Sequence, residues 1–394
     1  FPLVFGTLYF FFGLGILTLM YGLMKELGVP KPVRISLCVL SLFYEPLLGS
    51  ERYLIYTKPV SFFLILAIYA AARWFQSSSA AWFHVSLLSM TLVILLRSFF
   101  HVVVWMLPLV LYLLLLTGRS MARWPIKEAS ICGIYLIVAM APYLKNLFLM
   151  GSFTTSTWFG MNLVATTSYV PPEEIDRLIR EKRISPLMQI RRFSDAEVYL
   201  SHFEPQGRKP QTGVMALDAP VKTTGRPNFN CLVYVWASEE YLKSTWYLIR
   251  HYPLDYLKSV LTEIHIALTQ HPGRLFTRDS IWRPAFDKAW REPLSREFLS
   301  ILLLPFLLFF GYCTLTMLQV RQAWRYLQSG NGQQEDLARA AILGMSAFNL
   351  AYVLMVLALF ELGEGCFMRG PIDPLIAVGA IAMISQLLRR QGST

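Results

Sequence analysis

Arg97 and His101 stand four residues apart in Leu96-Arg97-Ser98-Phe99-Phe100-His101, between two apolar runs. A helix starting here would add its N-terminal amides to the Arg97 guanidinium, a pairing that favours an anion. The plainer alternative is an arginine snorkelling to a membrane interface beside a histidine bonded to a carbonyl. Further along, Lys145-Asn146 precede Gly151-Ser152-Phe153-Thr154-Thr155-Ser156-Thr157-Trp158-Phe159-Gly160-Met161-Asn162. Such a loop can hydrogen-bond sugar hydroxyls through its own hydroxyls and Asn162, while Trp158 covers an apolar sugar face. Without a ligand it is a polar loop with an anchoring tryptophan. Gly225-Arg226-Pro227-Asn228-Phe229-Asn230 sets two amides, Asn228 and Asn230, and an arginine on a stiff turn, although Asn is also a common turn residue. The last such stretch is Glu361-Leu362-Gly363-Glu364-Gly365-Cys366-Phe367-Met368-Arg369-Gly370-Pro371-Ile372-Asp373-Pro374. Its carboxylates, Glu361 and Glu364, could bind a divalent cation or an acceptor amine, and Arg369 a phosphate. A solvated loop with a local Glu–Arg pair explains the same residues. His251 reads as a helix-end histidine favourable to the dipole. Tyr44-Glu45 and Glu51-Arg52 are explained by surface ion pairing.

Other chemistry is not written into the chain. It contains no GxxxxGK[ST], HExxH or G-x-S-x-G, and its six histidines are dispersed, so no metal cluster is expected. Five cysteines are too few and scattered for a disulfide scaffold. Cys38, Cys132 and Cys313 read as buried small hydrophobes, while Cys231 and Cys366 fall on one side of the membrane and could pair.

The elements that must carry these residues are hydrophobic. Of 394 residues, 55% are hydrophobic and 15% charged, where soluble domains carry about 25% charge. That excludes an ordinary soluble enzyme and a disordered chain. The +11 net charge does not imply nucleic acid, because membrane proteins gather Lys and Arg on their cytoplasmic side. A bilayer core about 30 Å thick needs roughly 20 apolar helical residues. Nine runs approach this: 2–24, 35–48, 59–74, 80–96, 99–116, 129–149, 298–318, 337–360 and 372–388. The expected fold is an all-α polytopic membrane protein with about nine transmembrane helices. It divides into an N-terminal bundle of about six helices (1–150), a mainly helical domain or long loop (151–296) and a C-terminal bundle of about three (297–394).

Charge gives the direction. With the first span ending in the cytoplasm, the inner connections hold Lys25, Lys31, Arg34, Arg73, Arg119, Arg123, Lys127, Arg321, Arg325, Arg339, Arg389 and Arg390. The outer short connections hold Arg52, Lys58, Arg97, Lys145 and Arg369. Twelve against five satisfies the positive-inside rule. The same parity sets 151–296 outside the cytoplasm. It also leaves Phe1 outside without a signal peptide, so at least one further span is expected upstream.

Within the outer segment, Pro171-Pro172-Glu173-Glu174 should open a helix through Arg180, prolines suiting its start and acids its positive end. Helix is also expected over 191–199, 241–250 and 254–269, with Tyr252 at the break before Pro253, and an irregular loop over 206–230. Trp236, Trp246, Tyr247, Trp282 and Trp290 fit either a membrane interface or a soluble core.

The set resembles the integral-membrane glycosyltransferases of the GT-C class. It is most similar to the bacterial family 39-like enzymes related to protein O-mannosyltransferases and aminoarabinose transferases. The likeness runs through 96–101, 151–162 and 227–230. It continues in Arg250-His251-Tyr252-Pro253 with Tyr256-Leu257, and in Gly363-Glu364 through Arg369 to Pro371-Ile372-Asp373-Pro374. It implies a polyprenyl-phosphate sugar donor among the helices of a bacterial inner membrane. Arg97, His101 and Arg369 would lie near its phosphate, with Trp158, Asn162, Asn228, Asn230 and Glu364 near substrate. The sugar would pass to an extracytoplasmic glycan, lipid or protein by inverting displacement, assisted by a general base. That base belongs to the family's first outer loop, expected upstream of Phe1, so no catalytic residue is assigned within the chain. Gly365-Cys366 departs from the family pattern, where Asn is expected after the acid.

Two other functions are open to the sequence. One is a catalytically incomplete GT-C-like subunit that scaffolds a larger membrane complex or binds lipid. The other is a transporter, disfavoured because no paired halves are visible and the ionisable residues gather at one face.

Overall fold

The computed structural model describes residues 2–42, 57–117, 126–269, 298–328, 334–360 and 369–391. In chain order come α1 (Pro2–Glu26), α2 (Lys31–Leu42), α3 (Thr57–Ser77) and α4 (Ala80–Leu96). A π-helical turn (Val102–Met106) then runs into α5 (Leu107–Leu116), followed by α6 (Ile126–Ala139) and α7 (Ala141–Met150). Next are α8 (Phe159–Leu163), α9 (Pro172–Arg180), α10 (Ala196–Phe203), α11 (Met215–Asp218), α12 (Leu232–His251) and α13 (Pro253–Thr269). The chain ends with α14 (Phe298–Gln328), α15 (Gln334–Phe360), a 3-10 turn (Gly370–Ile372) and α16 (Asp373–Gln391). Among the described residues the one β contact is an isolated bridge between Val221 and Pro227.

Among the described residues three helices are long and apolar enough to cross a membrane: α1 from Val4, α3 and α15. Taken together, α6 and α7, bent by 42° at their junction, pass the same test as a pair and count as a fourth if they form one broken span rather than a re-entrant loop. The break falls before Pro142, which has no N–H to give the Val138 carbonyl and whose ring crowds it. Other runs form shorter apolar helices such as α4, and the run at 298–318 falls within the 31-residue α14. The run at 35–48 corresponds to α2, which ends after 12 residues at Leu42; residues 43–48 lie outside the described set.

The contacts separate the chain into two compact units. The first comprises Phe1–Met140, His265–Met355 and Gly365–Thr394. Here α3 and α4 form an antiparallel hairpin across Ser78-Ser79, with Ser78 in the left-handed region at φ 53°. A Cβ on Gly13, Gly15 or Gly22 of α1 would meet Lys58, Phe62 or Tyr69 of α3 respectively. Because both sets of numbers rise together, α1 and α3 run parallel, the direction that alternating spans require of a first and third helix. Arg73 of α3 lies 3.9 Å from the Glu26 carboxylate, and Arg339 of α15 donates to the Glu26 carbonyl at 3.2 Å. One end of the unit thus gathers basic residues from the inner set of the charge analysis.

The 102–116 helix runs antiparallel to α15. Trp105 Nε1 donates to Asn349 Oδ1 at 2.8 Å, the Tyr352 hydroxyl donates to the Phe99 carbonyl, and the Tyr112 hydroxyl to the Ala340 carbonyl at 2.7 Å. Trp105 and Asn349 are both fully buried. Trp105→Phe should strip the asparagine oxygen of its donor and cost about 1–3 kcal/mol, the desolvation of an orphaned polar atom. Adding Asn349→Leu should recover most of the loss, as thermal unfolding in detergent would measure.

The second unit, Ala141–Ile264 with Val356–Glu364, has an aromatic core of Tyr199, Phe203, Tyr234 and Tyr241. Buried tyrosine hydroxyls need acceptors, and these three find backbone carbonyls: Tyr199 to Arg191, Tyr234 to Ser194 and Tyr241 to Ile190. They fasten the 190–194 segment against α10 and α12, and burial pushes the Tyr234 and Tyr241 phenols well above their ordinary range. The opening at Pro172 and the break at Tyr252 fall where expected. Helix α10 begins at Ala196 rather than 191, and α12 begins at Leu232, nine residues earlier than expected.

Candidate functional site

In the first unit the basic residues gather at the end of the α3–α4 hairpin opposite Arg73. Lys58, in the first turn of α3, is 2% exposed. It was counted among the rim residues of a short outer connection, yet the structure packs it against the middle of α1. The ideal Cβ position of Gly13 lies 3.1 Å from Lys58 Cε and 3.3 Å from Nζ. Gly13 stands nine residues beyond Val4, about 14 Å at 1.5 Å per residue. Val4, Phe10 and Phe11, exposed on the intervening turns, are all apolar. Lys58 is therefore sunk within the hydrophobic length of α1, a position where ionisable side chains are costly and functional by default.

Its neighbours on α3 fix the turn that carries Arg369. Ser61 Oγ donates to the Pro371 carbonyl at 2.7 Å, and Thr57 lies so near Gly370 that a Cβ there would come within 2.9 Å. Arg369 Nε donates to Asp373 Oδ1 at 2.9 Å, with side chains 16% and 10% exposed. The local pairing of Arg369 is thus with Asp373, four residues on, in the first turn of α16. Glu364, Glu361 and Cys366 lie outside the described residues.

One turn further along α1 and α3 is an apolar groove of about 430 Å³ lined by Phe11, Leu14, Gly15, Thr18, Leu19, Phe62 and Leu66. It adjoins the Gly13–Lys58 contact through Gly15 and Phe62.

Arg97 ends α4, at the same end of the hairpin as Lys58. It is half-buried, with its guanidinium carbon 5.4 Å from the centre of the Phe99 ring. The expected regular helix start at His101 is instead a π turn, a geometry frequent at functional sites. Pro108, with no N–H to donate, follows closely and favours the irregularity. His101 Nδ1 accepts from the Val103 N–H at 3.3 Å, capping the turn. With Nδ1 accepting, a neutral ring carries its proton on Nε2. The His101 N–H is held by the Tyr352 hydroxyl at 3.3 Å.

In the second unit the structure joins two stretches singled out by sequence. Trp158 Nε1 donates to the Phe229 carbonyl at 3.1 Å, and Trp158, Phe193 and Phe229 pack edge to face. Asn228 is buried and its side chain is spent internally. Nδ2 donates to the Ala216 and Ala219 carbonyls at 2.9 and 2.7 Å, and Oδ1 accepts from the Asn230 N–H at 3.2 Å. Asn230 is exposed and Asn162 half-buried on α8. Asn146, buried on α7, donates to the Thr154 carbonyl at 2.7 Å and folds back the hydroxyl-rich loop. His251 stacks on Tyr247, bonded to its carbonyl at 2.7 Å. Cys231 is a buried free thiol.

The loop beside Asn228 depends on Asp218, which accepts from the Thr212 N–H, the Thr212 hydroxyl and the Gly213 N–H, each at 2.8 Å. The Thr212 amide bond holds the carboxyl below its usual range, with the hydroxyl and the Gly213 amide adding to this against some desolvation. A carboxylate with a depressed folded pKa stabilises above its unfolded value, near 3.9, and ceases to do so as pH falls through the folded value. Acidification below about pH 4 should therefore open the 212–218 turn, seen as a loss of hydrogen-exchange protection at Thr212 and Gly213 relative to their intrinsic rates. Asp218→Asn should loosen it at neutral pH.

Among the described residues no three His, Cys, Asp or Glu side chains converge as a metal site. Lys58 was not foreseen as a member of the site, and Asp373, though inside the 361–374 stretch, was given no role of its own. The usable signal was Lys58-Pro59 opening an apolar run, since such a run gives a basic residue at its head little water. No protein-family model, curated protein or solved structure matches the chain.

Proposed function

We propose that the chain is a multi-pass membrane glycosyltransferase of the GT-C class, moving a sugar from a polyprenyl-phosphate donor to an extracytoplasmic acceptor by inverting displacement. In this reading about nine helices cross a bacterial inner membrane, and residues 151–296 lie outside the cytoplasm. The observation that carries it is Lys58, buried against the middle of α1 beside an apolar groove. A buried basic group one helical turn from an apolar groove fits a site for a ligand that is anionic at one end and hydrocarbon at the other. Ser61 and the Arg369–Asp373 pair sit at the same hairpin end, and Arg97 and His101 supply further donors. Trp158, Asn162, Asn230 and Glu364 are assigned to the sugar or acceptor, and a divalent cation at Glu364 belongs to the same reading. Asn228 acts by holding its turn.

A second reading, a lipid-binding or scaffolding subunit of a larger membrane complex, is favoured by one detail. Asp373, the acid beside the basic residues, is bound to Arg369 rather than held as a base.

The test is transfer of labelled sugar from a polyprenyl-phosphate donor in native membrane vesicles carrying the full chain. Arg97→Ala should slow transfer at limiting donor and recover at saturating donor. Equal rates at limiting donor would remove Arg97 from the donor site. Donor binding without transfer would select the second reading, and absence of both would end the proposal.

A further inference from the structure

Helix α13 wears its polarity inside out. Leu254, Leu257 and Leu261 share one face by their spacing and are 72%, 49% and 57% exposed. On the opposite side Ser259 and Glu263 are fully buried. Ser259 Oγ donates to the Thr166 carbonyl at 2.6 Å, and the Tyr256 hydroxyl donates to the Leu359 carbonyl at 2.8 Å. In water an amphipathic helix buries its apolar stripe and solvates its charges. On α13 the three leucines face outward while Ser259 and Glu263 face inward, against that rule.

The same inversion recurs on α7. That helix buries Asn146 and Tyr143 and exposes Leu144, Leu147, Phe148 and Leu149. With α6 it forms a bent apolar pair that by length and composition counts as a candidate broken span, and an exposed apolar face on such a pair is of the kind that hydrocarbon covers. The remaining long helices of the unit sort as water dictates. Helix α12 exposes Lys243 and Arg250 and buries Val233, Tyr241 and Leu248, while α9 buries Leu178 and exposes Glu173 and Arg180. The polarity reverses at the Tyr252-Pro253 break. Trp246, Tyr247 and Tyr252 lie in the last turns before it, the residue types that favour the membrane–water boundary.

From this we infer that α13 is a lipid-contacting helix. Its Leu254, Leu257 and Leu261 face meets bilayer hydrocarbon, and the interface is crossed at Tyr252. The 151–296 segment is thus not wholly a water-facing domain. Lys258 fits this geometry, since it lies on the exposed side with Nζ 2.7 Å from Asp255 and a stem long enough to reach headgroups. The inference rests on burial within one unit and stands whether or not the chain transfers sugars.

The test uses the full chain, its native cysteines replaced, in vesicles of phosphatidylethanolamine and phosphatidylglycerol. A nitroxide is attached in turn at Leu254→Cys, Leu257→Cys, Leu261→Cys and, as the water-facing reference, Lys243→Cys. At the three leucine positions collisions with oxygen should dominate and those with a water-soluble nickel chelate should be lost, the reverse of position 243. Access by the chelate would mean water and overturn the inference. Protection from both probes would mean that another protein segment or partner covers the face, which overturns it equally. As a check independent of labelling, Leu257→Gln should lower the unfolding temperature in vesicles, whereas a water-facing leucine would tolerate the change.

Discussion

Gly160→Ala is expected to unfold the second unit. The ideal Cβ at this position would fall 1.8 Å from the Ser238 carbonyl oxygen and 2.8 Å from the Leu242 nitrogen, both backbone atoms of α12. No rotamer change relieves a clash with a helix backbone, so α8 must lift away. That also breaks the bond from the Gly160 N–H to Ser238 Oγ at 3.0 Å. Overpacking of this kind costs about 3 kcal/mol or more. Gly133→Ala on α6, where a Cβ meets nothing within 4 Å, supplies the contrast. A helix-interior glycine with free space should gain roughly 0.5–1 kcal/mol on the same change. Limited proteolysis and thermal unfolding of the two variants would read the difference, and a stable Gly160→Ala chain would refute the close α8–α12 approach.

Under the proposed function, Lys58→Met should have the largest effect on donor binding. Methionine keeps the stem and packing volume against Gly13 while removing the ammonium near the groove. A hydrogen bond to a charged partner is worth about 1.5–3 kcal/mol, so polyprenyl-phosphate binding should weaken about 10- to 100-fold. Competition with a photoreactive polyprenyl phosphate in vesicles measures it. Unchanged capture, with unchanged melting, would show that Lys58 serves the fold alone. Capture weakened equally for a neutral polyprenol would shift the role from headgroup to groove.

The features legible beforehand were those that depend on local pattern. Helix α4 occupies 80–96 as read, because its whole run is apolar and Ser-Ser precedes it. The start at Pro172 and the stop at Tyr252 follow from proline's fixed geometry. What escaped depends on a partner distant in sequence or on the surrounding medium. Lys58 reads as a rim residue until Gly13 is found against it, and Trp105 needs an asparagine 244 positions away. Asn228 is the same in type whether its amide meets a sugar or two alanine carbonyls. Periodicity located α13, but it reports only that a helix has two faces. Which face turns outward depends on whether water or hydrocarbon is the solvent.

The glycine track on α1 has a mechanical consequence. With the Phe62 and Tyr69 rings seated opposite Gly15 and Gly22, α1 and α3 mesh like a rack and its teeth. A shift by one helical turn would drive those rings into the bulkier side chains beside each notch, so the pair should travel as one stiff strut. Any widening of the α1–α3 groove must come from its open flank, not from sliding of its walls.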